Sequence, residues 1–368
     1  MTDTKLPSFT PLVESLPSTI PFVGPEAIER RRNETFKVRV GANESAFGVS
    51  PKAAAAMRDA VENIAWYGDP EGYDLRTAIA AHHGVEMDEV CLGGGIDELL
   101  GLTVRMLAQP GAPVLTSLGA YPTFNYHVAG FGAELIRVPY KNDHIDLDAL
   151  LEAAKQHKPV LVFFANPDNP MGTWHDANTV KAFMDELPEE TVLIYDEAYI
   201  EFAPSELDLP IDTANPRVIR MRTFSKAHGM AGARVGYAVA HKAIIGGYNK
   251  IRNHFGMSRI SLAGAQASLE DTEFVQSVVD QVDEGRREYY AMAQSLGLSA
   301  IASATNFVAI DLGSGDRARA ALKALEARGV FVRMPAVEPM DRCIRVSVGL
   351  PQERAAFREA FEAVLKEI

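Results

Sequence analysis

Short apolar runs and longer stretches of helical periodicity alternate along the middle of this chain. The apolar runs fall at 90–93, 114–118, 134–138, 160–164, 192–196, 218–221 and 235–239. Several are apolar throughout rather than alternating, the pattern of strands covered on both faces. Helical patterns at 97–107, 147–156 and 178–187 separate many of them. The spacing predicts an α/β unit with a mainly parallel, seven-stranded sheet. After about residue 245 the rhythm changes. A long helical pattern at 273–295 is followed by a strand at 306–311, a helix at 316–328, strands at 330–333 and 344–348, and a final helix from Gln352. That order reads as a smaller α+β unit. The first 35 or so residues carry five prolines through Pro25 and then the charged run Glu29-Arg30-Arg31-Arg32. They are expected to form an arm that packs with the smaller unit. The expected division is 1–37, 38–245 and 246–368.

Composition narrows the function. The chain has 368 residues with 36 Lys+Arg against 49 Asp+Glu, a net charge of -13. No Lys/Arg block stands out, so neither nucleic acid nor an anionic membrane is an expected partner. No apolar run approaches the roughly 18 residues that span a bilayer. The Pro-rich N-terminus lacks an apolar signal core, so the expectation is a cytoplasmic protein. Two cysteines, Cys91 and Cys343, lie far apart and form no ligand-spaced pair, so no disulfide framework and no metal site are expected. His82-His83 is expected on an exposed helix end.

The candidate chemistry lies at strand ends. Thr223-Phe-Ser225-Lys226 follows one predicted strand, and Arg234 stands eight residues after the lysine among glycines and small residues. Such residues let a ligand approach the backbone closely. Lysine forms Schiff bases with aldehydes, and Ser225 with Arg234 suits a phosphate. Tyr195-Asp196-Glu197-Ala198-Tyr199 sits at the C-terminal end of an apolar strand, where open α/β sheets bind ligands. Asp196 reads either as a helix cap or as the partner of a pyridinium nitrogen. Asn166-Pro-Asp-Asn169-Pro-Met-Gly172 is a turn signal in which Asn169 offers a hydrogen-bond donor. Gly93-Gly94-Gly95-Ile96-Asp97 joins a strand to a helix, an arrangement that receives phosphate. Arg345, on a C-terminal strand, is either an edge residue or a bidentate partner for a carboxylate.

In this order the motifs closely resemble those of the fold-type-I, pyridoxal 5'-phosphate (PLP)-dependent aminotransferases of class I/II, from about Val38 to the C-terminus. Within that family the chain is most similar to the histidinol-phosphate aminotransferases. The markers are Ala42-Asn-Glu-Ser45, Trp66-Tyr67-Gly-Asp-Pro70, Asp74-Leu-Arg76, Gly95-Ile-Asp-Glu-Leu99, Tyr121-Pro-Thr-Phe124, Asp196-Glu-Ala-Tyr-Ile-Glu-Phe202 and Asn306-Phe307. The resemblance implies a fold-type-I transferase with PLP on Lys226, which then shuttles a proton. Asp196 would keep the pyridine nitrogen protonated, Tyr199 and Asn169 would bond the ring 3-oxygen, and Phe124 would stack on the ring. Gly95, Ile96, Asp97, Ser225 and Arg234 would hold the phosphate. Tyr67 would reach the phosphate of a neighbouring subunit, so a homodimer is implied. Arg345 would take the substrate carboxylate and Arg333 the substrate phosphate or distal acid. The substrates implied are a small amino donor, histidinol phosphate first, and the keto acid 2-oxoglutarate, in ping-pong order.

Three segments depart from the family pattern. Pro21-Phe22 stands where relatives carry Pro-Tyr, so Phe22 lacks a substrate-facing hydroxyl. Segment 253–260 and loop 334–340 also differ; Arg259 reads as a substituted anion contact or, preferentially, as a surface charge. Phe22, Phe255 and Met257 would make a more apolar pocket, which keeps open an aromatic or other amino-acid aminotransferase. A PLP lyase or decarboxylase needs the same Lys226 and Asp196. A PLP-fold sensor lacks the appended DNA-binding domain it would require, and a Rossmann dehydrogenase lacks GxGxxG spacing at Gly93-Gly-Gly95.

Overall fold

The computed structural model describes residues 7–18, 23–207 and 209–368. Twelve strands are numbered in chain order: β1 Val38–Arg39, β2 Val90–Gly93, β3 Pro113–Ser117, β4 Glu134–Val138, β5 Leu161–Ala165, β6 Val192–Asp196, β7 Val218–Thr223, β8 Gly236–Val239, β9 Ser299–Ala300, β10 Phe307–Asp311, β11 Val330–Phe331 and β12 Cys343–Ser347. Seven make one sheet in the order β2-β8-β7-β6-β5-β3-β4. Only β8 runs antiparallel to its neighbours; the rest are parallel. The sequence expectation of a mainly parallel sheet holds.

The apolar strands are explained by what covers them. Side chains alternate across a strand. Leu161, Phe163 and Ala165 of β5 therefore enter one core with Leu99, Ile194 and Ile219, while Val162 and Phe164 enter another with Leu150, Phe183 and Leu193. Both faces are helix-covered, so the strand has no polar side to show. Helices Ile96–Leu107, Leu147–His157 and Ala177–Glu186 form where periodicity placed them, the latter two capped by Asp146 and Asp176.

Helices Pro51–Val61 and Arg259–Glu270 were not anticipated, and Tyr73–His83 is the helix that the His82-His83 expectation implied. They build a core with β2 and β8, in which Leu75, Ile79, Ala265 and Leu269 meet Val90 and Tyr237. Helix Arg259–Glu270 thus packs with the large sheet, although the expected division ended that unit at 245. His82-His83 does close a helix. His82 is exposed, but His83 turns under it and its Nε2 lies 2.9 Å from the Tyr237 hydroxyl.

The smaller sheet has the order β12-β10-β9. Helices Thr272–Ser295, Gly315–Ala327 and Pro351–Leu365 close around it with Phe307, Ile310, Ile344 and Phe357 in the core. Val38 and Val40 join this core, because β1 pairs in parallel with β11. Residues 38–40, expected to open the larger unit, are therefore bonded to the smaller one. In the arm, Phe36 packs its ring on Phe331 at 5.3 Å. Cys91 and Cys343 are both buried, in different sheets. Among the described residues no helix is long and apolar enough to cross a membrane.

Candidate active site

A cavity of about 320 Å³ opens at the C-terminal edge of β5, β6 and β7, the edge where parallel sheets present loops and helix N-termini. Four motifs reach it. Asp196 is the last residue of β6, Lys226 lies three residues beyond β7, Asn169 follows the turn after β5, and Ile96-Asp97 begin the helix after β2. Arg333 and Arg345 enter from the smaller sheet.

The Lys226 amine donates to the Asn43 carbonyl at 3.2 Å and stands 5.4 Å from the centre of the Tyr199 ring. Asp196 is 5% exposed. Burial pushes its carboxyl up to about 7, helped by Asp97 and Glu197, against the hydrogen bond from the Ala198 amide and the charge of Lys226. A buried acid so placed favours an incoming cationic group. Tyr199, 4% exposed, accepts a 2.9 Å bond from Asn43 Nδ2.

Opposite them lies an anion-receptive corner. Helix Ile96–Leu107 starts with no side-chain cap, so its first N–H groups and its dipole face the cavity. Ser225 receives bonds from Thr223 Oγ1 at 3.0 Å and Arg234 at 3.3 Å. Arg234 also donates to the Gly94 carbonyl at 3.3 Å and stands 3.5 Å from Asp97. Gly95 is required here: its φ is +84°, and a Cβ would come within 2.2 Å of the Arg234 guanidinium.

The two arginines that line the cavity beside Asn169 are neighbours. Arg333 and Arg345 exchange backbone hydrogen bonds in an antiparallel bridge. Arg345 donates to Asn169 Oδ1, its guanidinium lies over Phe307 at 5.1 Å, and its Nε is buried without a partner. Burial lowers its pKa. Arg333 donates to the Val23 carbonyl of the arm at 2.8 Å.

Several expected residues lie elsewhere. Phe124 is fully buried within helix Pro122–Gly130, stacked on Phe163 at 4.7 Å, and does not line the cavity. Tyr121, just before that helix, takes the wall, bonding Asp97 at 2.9 Å. Phe255 does not make the pocket apolar: it is 54% exposed and packs on Tyr67 at 4.9 Å. Met257 packs at the edge of the β2–β8 core. Arg259 does not line the cavity; it donates to the Tyr67 carbonyl at 2.8 Å. Tyr67 is 79% exposed and does not line this chain's own cavity. Phe22 lies outside the described residues. Sequence reasoning gave no role to Asn43 or Asn306, whose side chains make buried bonds here; the Ala42–Ser45 and Asn306-Phe307 motifs were the available signals.

The family model for aminotransferase class I and II matches residues 35–361. The chain belongs to the class I and II aminotransferases. Histidinol-phosphate aminotransferase 2 of Carboxydothermus hydrogenoformans is 35% identical to this aminotransferase over 96% of the chain and 98% of the relative. Histidinol-phosphate aminotransferase 2 of Pseudomonas aeruginosa is 36% identical over 89% of each. Among solved structures, the histidinol-phosphate aminotransferase of Sinorhizobium meliloti, in complex with pyridoxal-5'-phosphate, superposes with a TM-score of 0.95 at 46% identity and covers 99% of both chains. A Thermus thermophilus aspartate aminotransferase double mutant, 21% identical, shares the fold with a TM-score of 0.83 over 98% of this chain.

Proposed function

We propose that this aminotransferase uses pyridoxal 5'-phosphate to exchange an amino group between L-histidinol phosphate and 2-oxoglutarate. The single observation behind the cofactor assignment is the buried Asp196 carboxyl, raised to about 7 in a cavity that also holds a lysine amine. The residues fit the group. Lys226 offers an amine to its aldehyde, and Asp196 a counter-charge to its ring nitrogen. Asn169 and Tyr199 suit its ring oxygen, and Tyr121 stands at the wall in the place expected of Phe124. Ile96, Asp97, Ser225 and Arg234 suit its phosphate. Once bound, the cofactor supplies an aldehyde that takes up the amino group and a ring that accommodates the electron pair released at the substrate Cα.

The chain's own residues do the rest. With the cofactor bound, Lys226 Nζ is the base that would hold the proton taken from the substrate Cα and return it to the former aldehyde carbon. Asp196 keeps a positive charge at the ring nitrogen, which favours that transfer. Arg345 binds the carboxylate shared by dicarboxylic substrates. Arg333, bridged beside it, receives a phosphate or second carboxylate, so one cavity serves two unlike substrates in turn. The adjoining arginines favour a doubly anionic partner over a purely aromatic amino acid, as do the names of the relatives.

The exposed Tyr67–Phe255 pair supports a homodimer in which Tyr67 completes a neighbouring site. Two buried, unpaired cysteines support a cytoplasmic enzyme. We place the arm at 1–37, a PLP-binding unit within 38–245 that recruits helix Arg259–Glu270, and a smaller unit over the remainder that takes residues 38–40 into its core. The test is to mix PLP-loaded enzyme with L-histidinol phosphate alone and record the visible spectrum. Conversion to the pyridoxamine form is expected. No conversion with this donor, but conversion with phenylalanine, would discard the substrate and keep the reaction.

A further inference from the structure

Asn43 makes more side-chain and carbonyl bonds into the catalytic wall than any chemistry assigned so far requires. It is 3% exposed and sits at φ 56°, the left-handed region that asparagine tolerates better than most residues. That backbone turn points its carbonyl into the cavity, where it accepts from Lys226 Nζ at 3.2 Å and from Asn306 Nδ2 at 3.1 Å. Its side chain reaches Tyr199.

The direction of the side-chain amide follows from its partners, Ser347 on one side and Tyr199 on the other. The Asn43 backbone N–H donates to Ser347 Oγ at 3.0 Å, so that hydroxyl accepts there. Its single proton is then given to Asn43 Oδ1 at 3.2 Å. Ser347 is itself held by strand β12 and by its N–H bond to the Val40 carbonyl at 2.7 Å. With Oδ1 committed to Ser347, Nδ2 faces Tyr199 and donates to its oxygen at 2.9 Å. A hydroxyl that accepts from an amide keeps its own proton for another acceptor.

We propose that Asn43 is a positioning residue: by donating to Tyr199 it aims the tyrosine proton into the cavity, while its carbonyl parks the Lys226 amine beside that hydroxyl. The proposal rests on the PLP reading of the cavity, in which Tyr199 bonds the ring oxygen. Titratable groups that surround Tyr199 are Lys226, Arg345 and Tyr121. Asn43 Nδ2 is the donor that the structure places on the Tyr199 oxygen, at 2.9 Å.

The test is the pH titration of the visible band of the PLP-loaded enzyme. A donor to the ring oxygen stabilises negative charge there and so favours the deprotonated form. Losing it raises the midpoint. Tyr199→Phe is expected to raise it by roughly 0.5 to 1 unit, the scale of one hydrogen bond. Asn43→Asp keeps the side-chain volume but puts an acceptor where the donor was, so it draws the tyrosine proton away from the cavity. It is expected to raise the midpoint by a similar amount, and the double variant no further. Asn43→Gly keeps the left-handed backbone and the carbonyl that receives Lys226; it should give a smaller rise, because the freed hydroxyl still samples the cavity. Circular dichroism melts check that each variant is folded.

A shift in Tyr199→Phe without one in Asn43→Asp overturns the proposal. Full additivity in the double variant also overturns it, since Asn43 would then act by another route. No shift in Tyr199→Phe overturns the ring-oxygen reading of Tyr199 and the Asn43 proposal together.

Discussion

Glutamine in place of Glu197 would leave two buried guanidinium groups without a counter-charge. Glu197 is fully buried on the face of β6-end backbone opposite Asp196. Its carboxylate accepts from Arg220 Nε at 2.8 Å and NH2 at 2.5 Å, and from Arg222 Nε at 3.3 Å and NH2 at 3.2 Å. The arginine side chains are 4% and 14% exposed, so water screens little of this. Burial alone would raise the carboxyl; Arg222 and Arg220 outweigh it and bring it from 4.5 to about 2. That displacement corresponds to about 3 kcal/mol at 1.36 kcal/mol per unit. Removing one partner of a buried pair costs about 3 to 5 kcal/mol. Glu197→Gln should therefore lose about 3 kcal/mol in urea unfolding followed by circular dichroism at pH 7, with protein concentration and PLP fixed. The sign with pH is also determined. Because the folded pKa is depressed, the contribution is complete above about 4.5 and fades as pH falls toward 2. The gap between the two proteins should be constant from pH 7 to 5 and narrow below 4.5. A loss under about 1 kcal/mol, or a gap that widens in acid, would refute the reasoning.

Three further predictions concern the cavity. Lys226→Ala should lose the visible band of the lysine-bound cofactor and multiple turnover; normal turnover in that variant would displace Lys226 from its assigned place. Arg234→Ala should weaken PLP binding about 10- to 100-fold, the scale of a charge-assisted hydrogen bond, as read by equilibrium titration. Arg345→Lys should lower kcat/KM for 2-oxoglutarate by about 100-fold, because an ammonium cannot reproduce the planar donor pair; an unchanged value would remove Arg345 from carboxylate binding.

The parallel sheet was legible because several of its strands, β5 above all, are buried on both faces and so read as unbroken apolar runs. Lys226, Asp196 and Asn169 were legible because each follows such a run, and strand ends converge on one edge. Phe124 was misread for a local reason. The helix begins at Pro122, so Tyr121 stays at the sheet edge while a side chain three residues further turns into the core beside Phe163. Asn43 was quoted within a motif but given no role, since its partners come from distant parts of the chain. Short strands such as β1 carry too few residues to show any period. Arg259 could not be interpreted until Tyr67 was beside it.

The bonds of Asn43 also bear on when the enzyme becomes an enzyme. The seven-stranded sheet has all its strands once residue 239 is made. Asn43 waits for Tyr199, then Asn306, then Ser347, 304 positions downstream. At roughly 5 to 20 residues per second, the interval between the last sheet strand and Ser347 is about 5 to 20 s of synthesis. During it the strand ends that carry Lys226 and Asp196 have been made, but neither the serine that completes the Asn43 clasp nor the strand that carries Arg345. Such long-range closure is slow in folding terms. The cofactor-side and substrate-side groups are therefore separated in order of synthesis: a chain ended before Arg345 would carry most of the cofactor-side residues but neither Arg345 nor the hydroxyl that fixes Asn43.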